Sequence, residues 1–421
     1  LVTKPVEEQG GLMPDLIEQL FMTNRDLEVR EQARTFVDDE ITARSSDLEG
    51  STVPELDLAR SFGKHGWFGL TIPTRYDGIG AGQVAKTAVL EAISQVSPPM
   101  GYLFQAYYLG VAKILHHGTD VQQGRWLPAI ARGDCLPTIA VTEPGAGGNI
   151  GQTRATAERR GDTYVLNGVG LACKTFVGGS HNGADLHGVI ARTPGTSGIA
   201  GLTALLVEAD RPGVVLGEPR VIDGFSFGDV GFEDCEVPAL NLIGAEGQGM
   251  HVAQASSTLY GRLNLAAVGL GIMSRVLDGT VRFLKQRPLH PDARSLDQLQ
   301  VNQQKLGKMQ SLYMSTRTDV YAAAAGRDRG WDGVELDAAL NNAKLQSYVR
   351  GQELVALAKD IHSAYGLVGA LPRDAVYLDH LISPAGTPDF QRYRLFQHAM
   401  GTERSSWSAR FPAQVQESAE L

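Results

Sequence analysis

A change of texture that happens twice along the chain constrains its fold more than any single motif. From 14 to 133 the sequence reads as helices. PDLIEQLFMTNRDLEVREQARTFVDDEI carries apolar residues at mixed three- and four-residue spacing, as one buried helix face requires. QVAKTAVLEAISQV and GYLFQAYYLGVAKILHHG continue the pattern, with glycine at the helix ends as a C-cap signal. From about 136 to 248, short β-rich runs such as LPTIAVT, DTYVLNG and GLTALLVEA alternate with turns dense in Gly and Pro. That texture predicts an antiparallel β-domain, a barrel or a sandwich. From about 249 the helices return and lengthen, and their short links predict an antiparallel four-helix bundle. The fold class read from this is α+β in three domains. A helical domain over 1–135 is followed by a β-domain over 136–248 and a helical bundle over 249–421.

Length and charge narrow the partners. A chain of 421 residues can bury more than one core. A formal net charge of −9 with no basic run argues against nucleic acid or an anionic membrane. No apolar run reaches the ~20 residues of a membrane span, and the first residues, LVTKPVEEQGG, lack a secretory pattern. Cys135, Cys173 and Cys235 are far apart and form no CxxC pair, which fits a reducing cytoplasm. No metal-binding HExxH, P-loop or nucleophile elbow is present.

Two stretches carry chemistry. In AVTEPGAGGNIG, residues 140–151, three glycines beside a proline force a tight backbone. The exposed N–H groups of such a turn can hold a phosphate or a flavin edge, and a plain hairpin loop is an equal reading. In ISPAGTPDFQR, residues 382–392, Thr387 followed by Pro388 and Asp389 reads as an N-cap with proline at the first helical position. A helix N-terminus of this kind also suits a phosphate.

TEPGAG resembles the signature of the acyl-CoA dehydrogenase family, and the likeness runs in order along nearly the whole chain. GDTYVLNG, LTALLVEADRPGVVLG, VGFEDCEVPALNLIGAEGQGM, YGRLNLAAVGLG and AYGLVGALPRDAVYLDHLISPAGTPDFQR all resemble family segments. The resemblance implies a helical domain, an antiparallel β-barrel domain and a C-terminal four-helix bundle. It implies FAD as cofactor and an acyl thioester, on CoA or on an acyl carrier protein, as substrate. It also implies a homo-oligomer, a tetramer, with FAD bound across subunits. Residue by residue, Thr142 matches a threonine that hydrogen-bonds the flavin ring. Gly148 replaces a serine that touches cofactor and substrate. Arg287 matches the arginine that reaches the neighbouring subunit's FAD diphosphate, and His290 falls where an aromatic follows it. Gly366 belongs to a glycine pair near the dinucleotide, with Leu367 in place of the second glycine, where a side chain is expected to crowd the cofactor. Thr387 matches a cofactor-contacting threonine. Phe176 is the favoured stand-in for the tryptophan that flanks the flavin, with Ala172 as the alternative.

The departure lies at the base. In the family a carboxylate removes the α-proton of the thioester while a hydride leaves the β-carbon for the flavin. Most members carry the glutamate just before the Gly-Thr of the closing turn; here that residue is Ala385. Others carry it just before an arginine of the first bundle helix; Arg262 matches that arginine, and Gly261 precedes it. The catalytic base is therefore unassigned. Tyr260, Ser383, Asp389, Asp379 and His380 are candidate substitutes, whereas His116 and His117 read as a helix C-terminal pair interacting with the dipole. The family's thioester carbonyl is bound by the backbone N–H of the glutamate position, which Ala385 retains. Gly148, Arg262, Ala385 and Gly386 are thus the expected substrate-side residues. The function expected is α,β-dehydrogenation by an altered route, or chemistry through the α-anion. A flavin-dependent monooxygenase and a silent subunit of a hetero-oligomer are the alternatives.

Overall fold

The computed structural model describes residues 15–289, 291 and 294–402. Seven helices come first: α1 (Leu16–Phe21), α2 (Asn24–Phe36), α3 (Ser45–Leu48), α4 (Asp57–Lys64), α5 (Gln83–Val96), α6 (Pro98–His117) and α7 (Asp120–Ala131). Their starts are written locally. Thr23 with Asp26 and Thr119 with Gln122 form capping boxes at α2 and α7, and Pro98 opens α6.

Ten strands follow: β1 (Pro137–Ala140), β2 (Thr156–Arg160), β3 (Thr163–Gly168), β4 (Lys174–Gly178), β5 (Leu186–Arg192), β6 (Leu202–Glu208), β7 (Val214–Leu216), β8 (Arg220–Ile222), β9 (Phe225–Pro238) and β10 (Leu242–Ile243). They form one sheet in the order β10-β6-β5-β2-β3-β9-β4, with β1 on β5 and both β7 and β8 on β9. Two expectations need correction. Among the described residues these pairings trace an open path, so the expected closed barrel is not seen. Nor is the sheet purely antiparallel, because β1 and β2 both run parallel to β5. The 14-residue β9 is the longest strand of the antiparallel part. It pairs along its length with β3, β4, β7 and β8, with register shifts against β3 and β4.

The C-terminal part holds α8 (Gly249–Gln254), a π-helix over Ala255–Arg262, α9 (Leu263–Gln286), α10 (Gln300–Asp328), α11 (Gly333–His362), α12 (Ala370–Asp379) and α13 (Pro388–Met400). The long helices α9, α10 and α11 pack on one another, and α5 lies against α9 and α10. Asp328 at the end of α10 caps α5, accepting from Gln83 N at 2.7 Å and Val84 N at 2.9 Å. N- and C-terminal helices consequently share one hydrophobic core, in which Leu90, Phe104, Leu270 and Leu340 are fully buried. The sheet keeps a smaller core of its own around Leu166, Val189 and Phe232.

Helix α6 joins the two. Gly110 lets it press on β1, since a Cβ there would stand 2.5 Å from the carbonyl carbon of Pro137. Tyr107 of the same helix donates to the Asn182 carbonyl at 2.8 Å. The fit predicts that Gly110→Ala costs about 1–3 kcal/mol in chemical denaturation, because backbone and not a flexible side chain must move.

Candidate functional site

The turn between α12 and α13 has an unusual backbone. Ala385 has φ +56° and Gly386 φ +101°. A left-handed alanine carries roughly 1–2 kcal/mol of strain, which persists only where the surroundings impose it. They do so from three sides. Gly386 N donates to Ser383 O at 3.3 Å. Gly386 O accepts from Lys344 Nζ at 2.5 Å and from Gln391 Nε2 at 2.9 Å. Thr387 Oγ1 accepts from Phe390 N at 3.3 Å, with Pro388 first in the helix, so the N-cap expected from the sequence is present. The Ala385 N–H makes no hydrogen bond among the described residues, and its side chain is half-buried.

The two positions read as vacant in the sequence meet here. A Cβ built on Gly261 would stand 3.2 Å from the Ala385 Cβ and 3.4 Å from Leu109 Cδ2. Gly261 lies in the π-helix, a geometry often found at functional sites. Its neighbours turn elsewhere. Arg262, 3% exposed, donates to Asp337 Oδ1 at 2.7 Å. Arg394 of α13 donates to Asp337 Oδ2 at 2.8 Å, and Asn341 donates to the same oxygen at 3.1 Å. Arg262 thus braces the turn from behind. Tyr260 points into the N-terminal helices, where its hydroxyl meets Thr71 Oγ1 at 3.3 Å and the Lys86 amine stands 4.1 Å from its ring.

The other candidate bases have different partners. Asp389 pairs with Arg392 at 2.8 Å on an exposed surface, as a helix N-terminal charge does. Asp379 accepts from Gln352, and His380 Nδ1 lies 2.7 Å from Val376 O. Ser383 is exposed. His116 and His117 do close α6, but burial pushes them down to about 3 and about 4. They are neutral at physiological pH and cannot act as charges on the helix dipole, which corrects the reading from sequence.

The glycine loop is built around an ion pair that the motif conceals. Glu143 and Lys174 are fully buried and 2.6 Å apart, and Glu143 also accepts from Arg154 N at 2.6 Å and Ala155 N at 3.0 Å. Burial pushes the Lys174 amine down, and Glu143 works against that shift. Thr142 O accepts from Thr175 N at 2.8 Å, which sets β4 beside the loop, while the Thr142 hydroxyl makes no hydrogen bond among the described residues. Nothing lies within 4 Å of a Cβ built on Gly148. Phe176, with φ +56°, is 63% exposed and stacks on Phe227 at 5.9 Å. An exposed ring, and not a core residue, therefore flanks the loop. Ala172 lies in the short turn that leads into β4.

A separate patch sits at the end of α9. Arg287 lies 4.2 Å from the Tyr365 ring centroid, and the buried Gly366 follows Tyr365. Leu367, which stands in place of the second glycine, is 75% exposed beside them. His290 lies outside the described residues. These features suit FAD. An open glycine loop, a free threonine hydroxyl and an exposed ring offer a place for the isoalloxazine, and an exposed guanidinium offers a diphosphate partner.

Family models place the chain in the same order. The acyl-CoA dehydrogenase N-terminal domain matches residues 23–134, the middle domain 138–235 and the C-terminal domain 247–398. An acyl-CoA dehydrogenase of Bacillus subtilis (strain 168) is 29% identical over 391 residues, covering 91% of this chain and 100% of that protein. The mitochondrial isovaleryl-CoA dehydrogenase of Bos taurus is 32% identical over 344 residues, covering 77% of this chain and 78% of its own. The solved structure of a prolyl acyl carrier protein oxidase superposes with a TM-score of 0.80 at 23% identity, covering 90% of this chain and 99% of that one. The chain belongs to the acyl-CoA dehydrogenase family, whose members are FAD-dependent flavoproteins. No helix among the described residues is long and apolar enough to cross a membrane.

Lys344, Asp337 and the Glu143–Lys174 pair were not singled out from the sequence. Each acts through a partner 31 or more residues away, and no local pattern marks that. Removing one member of the buried pair should be costly: Glu143→Gln or Lys174→Met alone is expected to lose about 3–5 kcal/mol in urea denaturation, and the double substitution to recover most of it.

Proposed function

We propose that this protein is an FAD-dependent flavoprotein that binds an acyl thioester and works without the carboxylate base usual in its family. The convergence of Gly261 and Ala385 on one point, beside an unbonded Ala385 N–H, carries this reading. A thioester carbonyl held by that N–H has its α-protons acidified, yet neither facing residue can take one. Thr142 and Phe176 would hold the flavin ring. Arg287, laid over Tyr365, would reach the diphosphate of a neighbouring copy, which fits the tetramer implied by the family. When bound, FAD supplies the acceptor for a hydride leaving the β-carbon. Leu109 and the buried wall of the π-helix shield the reacting carbon from water. A prolyl acyl carrier protein oxidase shares the fold, and the reading therefore takes in acyl groups carried on a protein as well as on CoA.

The base can be put back. Glutamate tolerates the backbone of Ala385 as well as alanine does, so Ala385→Glu should fold and bind flavin. Anaerobic bleaching of the flavin by butyryl-CoA is expected to be slow in the wild type and about 10²–10⁴-fold faster in the variant. Equal rates would show that a base is already in place and would overturn the reading. A protein that takes up no FAD would favour the silent-subunit alternative.

A further inference from the structure

Lys344 is the buried amine that reaches the turn. It is 1% exposed and donates to Gly386 O, one residue beyond the vacant base position. Seven residues, about two helical turns, separate it from Asp337 on α11, so both face the π-helix. Asp337 does not neutralise it, being already bonded to Arg262 and Arg394. From α13, Asp389 is turned to solvent and paired with Arg392. Helix α9 meets this part of α11 through a neutral contact, Ser347 Oγ to Ala266 O at 3.0 Å. Among the described residues no carboxylate pairs with Lys344, while Arg262 adds positive potential beside it.

Taking the thioester reading above as its basis, we infer that Lys344 is a positioning residue for the acyl group. Its amine fixes the left-handed Ala385–Gly386 turn through the Gly386 carbonyl. As an ammonium it makes that turn favour an enolate over the neutral thioester. The physical ground is the unbalanced charge. A cation in a site of low dielectric attracts charge developing on a nearby oxygen strongly, and no side-chain anion at 385 or 261 competes for it. The chain thus has a means of stabilising an α-anion while offering no base to form it. That combination favours thioesters whose α-proton is already acidic, and a β-ketoacyl thioester, which has no β-hydride to give, can report the enolate without turning over.

Burial and Arg262 push the Lys344 amine down to about 7. The enolate preference should therefore be full below that pH and fade as pH rises through it. Stability runs the other way. Between about 7 and the ordinary 10.5 the unfolded chain binds the extra proton, so this lysine makes the fold more stable as pH rises across that window.

The probe is acetoacetyl-CoA, whose α-protons ionise without help from a protein base. Its enolate absorption, recorded on the flavin-loaded protein from roughly pH 6 to 9, reads the bound charge state. Relative to wild type, Lys344→Met should show about tenfold less enolate below pH 7, with Lys344→Arg restoring most of it and the flavin spectrum unchanged. Parallel pH profiles in wild type and Lys344→Met, or equal weakening of both ligand forms, would reduce the lysine to a structural role and overturn the inference. If the wild type does not bind acetoacetyl-CoA, the thioester reading fails by itself. Amide hydrogen exchange at Ala385 and Gly386 then decides the turn. Exchange about tenfold faster in Lys344→Met than in wild type at equal pH would keep the positioning role. Unchanged exchange would remove it.

Discussion

One buried carboxylate holds the reacting end of this molecule together. Asp337 receives Arg262 from the π-helix, Arg394 from α13 and Asn341 from its own helix. Those elements flank the 382–387 turn on both sides, so the turn keeps its left-handed backbone because Asp337 fixes what surrounds it. Lys344, about two turns along α11, completes the clamp by holding Gly386 O. Removing a carboxylate shared by the buried Arg262 and the half-buried Arg394 would leave both uncompensated, a much larger loss than that of an exposed pair.

This clamp explains how the frame of a site persists while its usual base is missing. A glutamate at 385 or 261 would face the other position across a gap of about one side chain, close to a region rich in buried positive charge. With alanine and glycine there, Arg262 and Arg394 keep Asp337 as their counter-charge, and Lys344 is the cation left with no carboxylate partner among the described residues. An acyl group that develops negative charge at its carbonyl is the natural source of its counter-charge. Ala385 holds a backbone that glycine would occupy at no cost, so the surroundings, and not the residue, impose the turn.

Much of this was legible in the sequence, and the limits have physical causes. Features carried by local pattern were read correctly, such as the capping threonine at 387 and the helix-sheet-helix order. The sheet was misjudged because alternating apolar residues mark a strand without naming its partner, and β9 takes four partners. The glycine loop drew attention to its backbone, whereas its rigidity comes from Glu143 on a lysine 31 residues away. Lys344 sits in a helix whose other lysine, Lys359, looks just the same in sequence. Only the fold shows that one of them is buried against the turn.

The central claim is that the Ala385 N–H receives the thioester carbonyl in a site with no carboxylate beside it. A crystal structure of the flavin-loaded protein with bound acetoacetyl-CoA tests it most directly. The account predicts the thioester oxygen about 2.7–3.2 Å from Ala385 N, with Gly261 and Ala385 against the α-carbon. A carbonyl bound elsewhere, or a carboxylate found against the α-carbon, would contradict it.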